Sequence, residues 1–148
     1  MDSKHFKNVF NACMLSNGFL KNGGYYYQNT AEIICSIGLQ KSNYSNGFYV
    51  NVGYIIKVIN TGLTTPRDVD GDLRTRFSIN INGKIIDIFD LSIIRNENEL
   101  SKQILDNLNA LVVGYLSYEG LRNLVKQDPS LLYQMKAPAK KFLGYDLS

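Results

Sequence analysis

The chain has 148 residues, 45% of them hydrophobic and 20% charged, with a formal net charge of +3. That balance excludes a disordered chain, and a pI near 8.8 falls short of the strongly basic surface of a dedicated nucleic-acid binder. The opening MDSKHFKN has no apolar signal core and no apolar run reaches the length of a membrane span, so the expectation is one domain, residues 1–148, in the cytoplasm.

Taken in order, the chain opens with Phe6, Val9, Phe10, Cys13 and Met14 at helical spacing, the stripe of an amphipathic helix. Asp2 or Ser3 can cap its start. Gly18 supplies the left-handed residue that ends it, with Phe19 packing back on Met14. Gly23-Gly24 then breaks the chain before the short aromatic strand Tyr25-Tyr26-Tyr27-Gln28, and Asn29-Thr30 turns that strand into the next. Cys13 and Cys35 fall on the apolar faces of a helix and a strand. They read as buried free thiols, in keeping with a cytoplasmic location.

Ile33 to Ile56 is the centre of the sheet. Side chains alternate between the faces of a strand, so Ile33, Cys35, Ile37 and Leu39 share one face, as do Phe48, Val50, Val52 and Tyr54. Pairing Leu39 with Phe48 brings Ile37 opposite Val50, Cys35 opposite Val52 and Ile33 opposite Tyr54, and it sets Tyr49 over Gly38. A slip of one residue would mix the faces.

The string LQKS, a short Asn/Ser/Gly loop and FYVNVG, downstream of a helix ending in Gly18-Phe19, resembles the bacterial domain-of-unknown-function family numbered 4304. The likeness runs from Phe6 to about Leu116, and its most specific part is Leu39 to Gly53. Family members carry tryptophan in their later strands, where this chain has Phe89. The resemblance implies a small bacterial α+β domain and brings no assigned reaction and no catalytic residues.

After Ile59, the segment from Asn60 to Leu73 carries Gly62, Pro66 and Gly71 and reads as a long loop. Arg74 to Ile81 alternates as one strand. Asn82-Gly83 is a type I′ hairpin signal, with Lys84 to Phe89 returning so that Ile86 faces Ile79 and Ile88 faces Phe77. Asn96 and Glu99 form a capping arrangement, and Leu100, Ile104, Leu108, Leu111, Val112 and Tyr115 make a helical stripe of about five turns. Ser117 caps a shorter helix, Asp128-Pro129 opens another segment, and Pro138 to Leu143 forms a last turn ending at Gly144. Strands followed by helices predict a two-layer α+β fold, with an antiparallel sheet of about five strands and helices on one face.

The other sheet face would carry Ser36, Gln40, Tyr49, Asn51, Arg74, Arg76, Ser78 and Asn80. Antiparallel sheets commonly wet one side. The same side chains also suit a docking surface, because tyrosine and arginine are the residues that anchor interfaces. Gln40, Tyr49, Asn51, Arg74 and Arg76 are the candidate binding residues.

No other pattern implies a cofactor, a metal or a catalytic set. Asp68, Asp70 and Asp72 form D-x-D-G-D, but Leu73 stands where an EF-hand needs glycine and Ile79 where it needs its closing glutamate. An acidic turn is expected there. His5, the only histidine, stands in the first turn of a helix and reads as a solvated imidazole; no nucleophile, base and acidic orienter can be assembled around it. GFLKNGG, residues 18–24, lacks phosphate-loop spacing and precedes a strand, so it reads as a connector.

The leading expectation is a binding domain without catalysis that docks a partner protein, of the immunity or antitoxin kind that masks another protein's active site. The alternative is association with nucleic acid. It draws on Arg122, Lys126, Lys136, Lys140 and Lys141 in a mildly basic C-terminal part, and on Lys21 beside three tyrosines. A small-molecule enzyme is third, since paired carboxylates need no linear motif. Which sheet edge is open to a second copy, and hence the oligomeric state, is not written in the sequence.

Overall fold

Asp2 accepts the His5 amide at 2.7 Å and opens α1 (Ser3–Ser16). Gly18, at φ +84°, ends it, and the Phe19 amide donates back to Met14 O at 3.1 Å. That is the Schellman closure predicted from Gly18-Phe19. Phe6, Phe10 and Met14 are fully buried along one face of α1, each contributing roughly 1.5–3 kcal/mol by leaving water. In this computed structural model, which describes residues 1–145, α1 lies against the apolar face of an antiparallel sheet.

The sheet is a meander of β1 (Leu20–Asn22), β2 (Tyr25–Asn29), β3 (Ile33–Lys41), β4 (Gly47–Ile56) and β5 (Leu73–Arg76), every pair antiparallel. β1 leaves no mark in the sequence pattern. Its three residues have no alternation to show, and Gly23 at φ +61° makes with Gly24 the tight turn into β2, so the expected break is a hairpin.

Across β3 and β4 the faces are those expected and the register is not. Leu39 lies opposite Val50, Ile37 opposite Val52, Cys35 opposite Tyr54 and Ile33 opposite Ile56. The shift is two residues, which returns every side chain to its own face, so hydrophobic alternation cannot choose between the two pairings. The loop chooses. Ser42 N donates to Gly47 O at 2.9 Å while Ser42 Oγ accepts the amides of Tyr44 and Ser45, which places Lys41 opposite Phe48. Tyr49 therefore faces Gln40, and the aromatic over Gly38 is Tyr25 of β2. A Cβ at Gly38 would lie 2.7 Å from the Tyr25 ring.

The strand expected over residues 74–81 is two. After β5 the chain leaves the sheet at Ser78 and forms a separate ribbon of β6 (Ile79–Ile81) and β7 (Lys84–Ile86), turning at Asn82 (φ +51°) and Gly83 (φ +83°). Ile79 faces Ile86 as predicted, but β7 stops there and Ile88 does not pair with Phe77. β8 (Phe89–Asp90) instead returns to the edge of β4 beyond β5, against Gly47 and Phe48. The cause of the split is Asn107. From a helix on the core side its side chain accepts the Ser78 amide at 2.9 Å and donates to Ser78 O at 2.7 Å, replacing a strand neighbour.

Helices follow. α2 (Glu97–Leu111) is capped by Asn96, which accepts the Glu99 amide, while Glu99 reaches back to the Arg95 amide. The stripe to Tyr115 was expected as one helix, but α2 ends at Leu111. The Leu111 carbonyl accepts from the Tyr54 hydroxyl, and Gly114 at φ +84° turns the chain. α3 (Tyr118–Gln127) is capped by Ser117, a 3-10 segment Pro129–Tyr133 by Asp128, and α4 (Ala137–Leu143) ends at Gly144. Their apolar faces join those of β2 to β5, β8 and α1 in one core cluster. Among the described residues no helix is long and apolar enough to cross a membrane.

Candidate functional site

The outer face of the sheet can be read in rows from the register. One row holds Ile34 and Ile55, the next Tyr27, Ser36, Gly53 and Arg74, the third Tyr25, Gly38, Asn51 and Arg76, and the last Gln40 and Tyr49. The stretch from Asn60 to Leu73, expected as a long loop, gives Leu73 to β5, and residues 60–72 lie over the first two rows. Pro66 O accepts the hydroxyls of Tyr27 (2.7 Å) and Ser36 (2.8 Å), and Asp68 presses its backbone against Gly53, where a Cβ would meet Asp68 O at 2.5 Å. Ile34, Ile55 and Tyr27 form a second small cluster, against which Leu63 of this segment packs. Ser36, expected on a wetted face, is thus fully buried. Ser78 and Asn80 have left the face with the ribbon and line a hollow beside α2.

The five candidate binding residues remain on the open rows or at their border, and four of them interlock. Asn51 Nδ2 donates to Gln40 Oε1 at 2.9 Å, and Arg76 Nε donates to Asn51 Oδ1 at 2.8 Å. Arg76 Nη1 meets Asp87 at 3.2 Å, and its guanidinium carbon lies 4.1 Å from the centre of the Tyr49 ring. A planar guanidinium on an aromatic face with its edge held by amides is a preorganised unit, which lysine could not replace. Arg74 stands apart, with Nη2 3.8 Å from Asp68. That separation is an ion pair without a hydrogen bond, and the Arg74 side chain is 41% exposed.

Asn51, Arg76 and Asp87 of this unit, with Arg74 and Thr75, floor a cleft of about 530 Å³ along β5. The opposite wall is the 3-10 segment, through Asp128, Ser130 and Gln134, anchored where the Lys136 amide donates to Asp72 O. This wall leaves no mark in the sequence pattern, because its residues lie more than fifty positions beyond β5.

A family model described as Domain of unknown function (DUF4304) matches residues 10–118. The chain belongs to this family. No curated protein and no solved structure matches it. Within the DUF4304 segment lie Gln40, Tyr49, Asn51, Arg74, Arg76 and Asp87, while Asp128, Ser130 and Gln134 lie past its end. The floor of the cleft is therefore part of the matched domain and its far wall is not.

The other sequence candidates take structural places in this DUF4304 chain. Asp72 accepts the Ile56 amide and the Asn60 side chain, each at 2.8 Å, and Asp70 accepts the Arg67 amide at 2.8 Å. Asp68 turns to Arg74, so the three carboxylates serve three different partners. Burial holds Asp68 and Asp72 above the ordinary carboxylate range, while the Arg67 amide holds Asp70 below it. His5 Nε2 meets Glu97 at 2.6 Å on the surface, tying the start of α1 to the start of α2. Cys35 is buried, which pushes its thiol far up, and Cys13 donates to Ser101 at 3.4 Å. Of the tyrosines beside Lys21, Tyr26 and Tyr27 are 3% and 9% exposed, so their rings belong to the packing and offer no free face for a base.

Proposed function

We propose that the chain works by binding, docking a partner protein in the cleft along β5, with Arg76 on Tyr49 as the anchor. The observation that supports this reading is the preorganised state of that anchor. Its guanidinium already lies over an aromatic ring and is held by Gln40, Asn51 and Asp87 before any partner arrives, so little side-chain freedom remains to be lost on association. Tyrosine and arginine at the centre of a polar rim is the composition of interface hot spots. An immunity- or antitoxin-like role, masking the active site of a toxic partner in the bacterial cytoplasm, is the specific form we favour. Two free cysteines, one of them fully buried, accord with a reducing compartment.

Affinity capture from the source organism with wild-type, Arg76→Ala and Tyr49→Ala baits tests the reading. One specific protein should be retained by the wild type, and purified, it should bind Arg76→Ala at least about tenfold more weakly, the effect of losing a hot-spot side chain. Retention indifferent to both substitutions would sink the proposal.

A further inference from the structure

α1, β1 and β3 each deliver one lysine to the same hollow on the helix-covered side of the sheet. Lys7 comes from α1, Lys21 pairs with Tyr26 across β1 and β2, and Lys41 pairs with Phe48 across β3 and β4. Directly opposed residues share a face, so both strand lysines stand on the side that Tyr26 and Phe48 give to the core. The Lys7 and Lys41 ammonium groups lie 5.5 and 5.3 Å from the Phe48 ring centre, and that of Lys21 lies 5.6 Å from the Tyr26 ring. Between them is a cleft of about 460 Å³, with Asn8 and Asn11 on its α1 wall and no carboxylate among its described lining residues. Among the described residues, none of the three ammonium groups has a carboxylate within ion-pair distance. Asn11 Oδ1 is taken by the Tyr26 hydroxyl at 2.8 Å, which leaves the N–H side of its amide as the group it can offer.

A concave site lined by one sign of charge focuses its field on a counter-ion. One exposed ammonium holds an anion weakly. Three converging on a hollow within the usual ligand-site range of about 300–1,000 Å³ select an anion that carries several charges of its own. Tyr26 and Phe48 are each only 3% exposed, so the hollow offers charge and amide donors without a stacking surface for a base. The geometry points to a binding site for a compact polyanion with consecutive phosphate groups, held by Lys7, Lys21 and Lys41. It lies on the opposite side of the sheet from Arg76 and does not depend on the protein-docking reading.

Isothermal titration of the whole chain with inorganic tripolyphosphate tests the site, beside orthophosphate and a single-stranded oligonucleotide. Tripolyphosphate should bind one to one, at least about tenfold tighter than orthophosphate, and should weaken steeply between about 0.05 and 0.3 M salt as screening shortens. K7Q/K21Q/K41Q should lose at least about tenfold in affinity, while K84Q/K126Q/K141Q, which removes the same charge elsewhere, should bind as the wild type does. Circular dichroism confirms that the variants fold, and K21Q alone, at the rim of the sheet, supplies a partial loss should the triple variant unfold. Absence of tripolyphosphate binding, equal affinity in the two triple variants, or an oligonucleotide engaging these lysines where tripolyphosphate does not, overturns the assignment.

Discussion

Burial raises the Asp68 carboxyl above its ordinary value of 3.8, and the Arg74 guanidinium pulls it back only in part. The folded chain therefore holds this proton at a pH where the unfolded chain has released it. Its stabilising contribution is complete below 3.8 and fades as pH rises through the raised value. Asp72 behaves in the same sense, with burial opposed by the Ile56 amide and Asn60, and Asp70 in the opposite sense. Asp68→Asn removes the ionisation and keeps the shape. Relative to wild type, it should gain stability between about pH 4 and pH 7, read by urea unfolding at both. A difference that does not move with pH would contradict the burial account. The D-x-D-G-D string was legible as an acidic turn, but not as the lid that presses on Gly53. That contact depends on glycine at a position whose only sequence mark is the absence of a side chain.

Among elements, the ribbon of β6 and β7 exists because Asn107 occupies both hydrogen-bonding groups of Ser78. Replacing Asn107 with Ala leaves that peptide short of partners and should cost about 1–3 kcal/mol. Hydrogen exchange should show the loss first at the Ser78 amide, before the amides of β5. The Asn-Gly turn and the pairing of Ile79 with Ile86 were legible because turn chemistry and alternation agree over a few residues. The break at Ser78 was not, since its cause sits 29 residues further on, in a helix whose pattern speaks of Leu100, Ile104 and Leu108. The two-residue register of β3 and β4 was hidden for a different reason. Both registers keep Val50 and Val52 inside, and only Ser42 in the loop distinguishes them.

Across the whole molecule, α1, β4 and β8 meet at one aromatic stack. Phe6 lies parallel to Phe48 at 5.0 Å and edge-on to Phe89 at 6.0 Å. Phe6→Ala should therefore lower the unfolding free energy by about 3–5 kcal/mol, as one cooperative shift in denaturant midpoint at unchanged slope. A separate early transition confined to helix signal would show that α1 is held independently. The two-layer plan was legible because the faces of β3, β4, α1 and α2 each carry their own periodicity. Tyr49, Asn51 and Arg76 could be grouped from alternation alone, whereas Asp87, the wall at 128–134 and the lysine hollow come together only when distant elements pack.

The segment from 60 to 72 roofs two of the four rows on the outer side of the sheet, and its cover reaches no further than Asp68. How much of that side stays available is thus a matter of how long this one connection is. Lengthening it past Asp68 would draw a shutter across Asn51 and Arg76, and trimming it would unroof Ile34 and Ile55, which are fit only for a greasy guest. A single span of chain sets the aperture while every strand keeps its place.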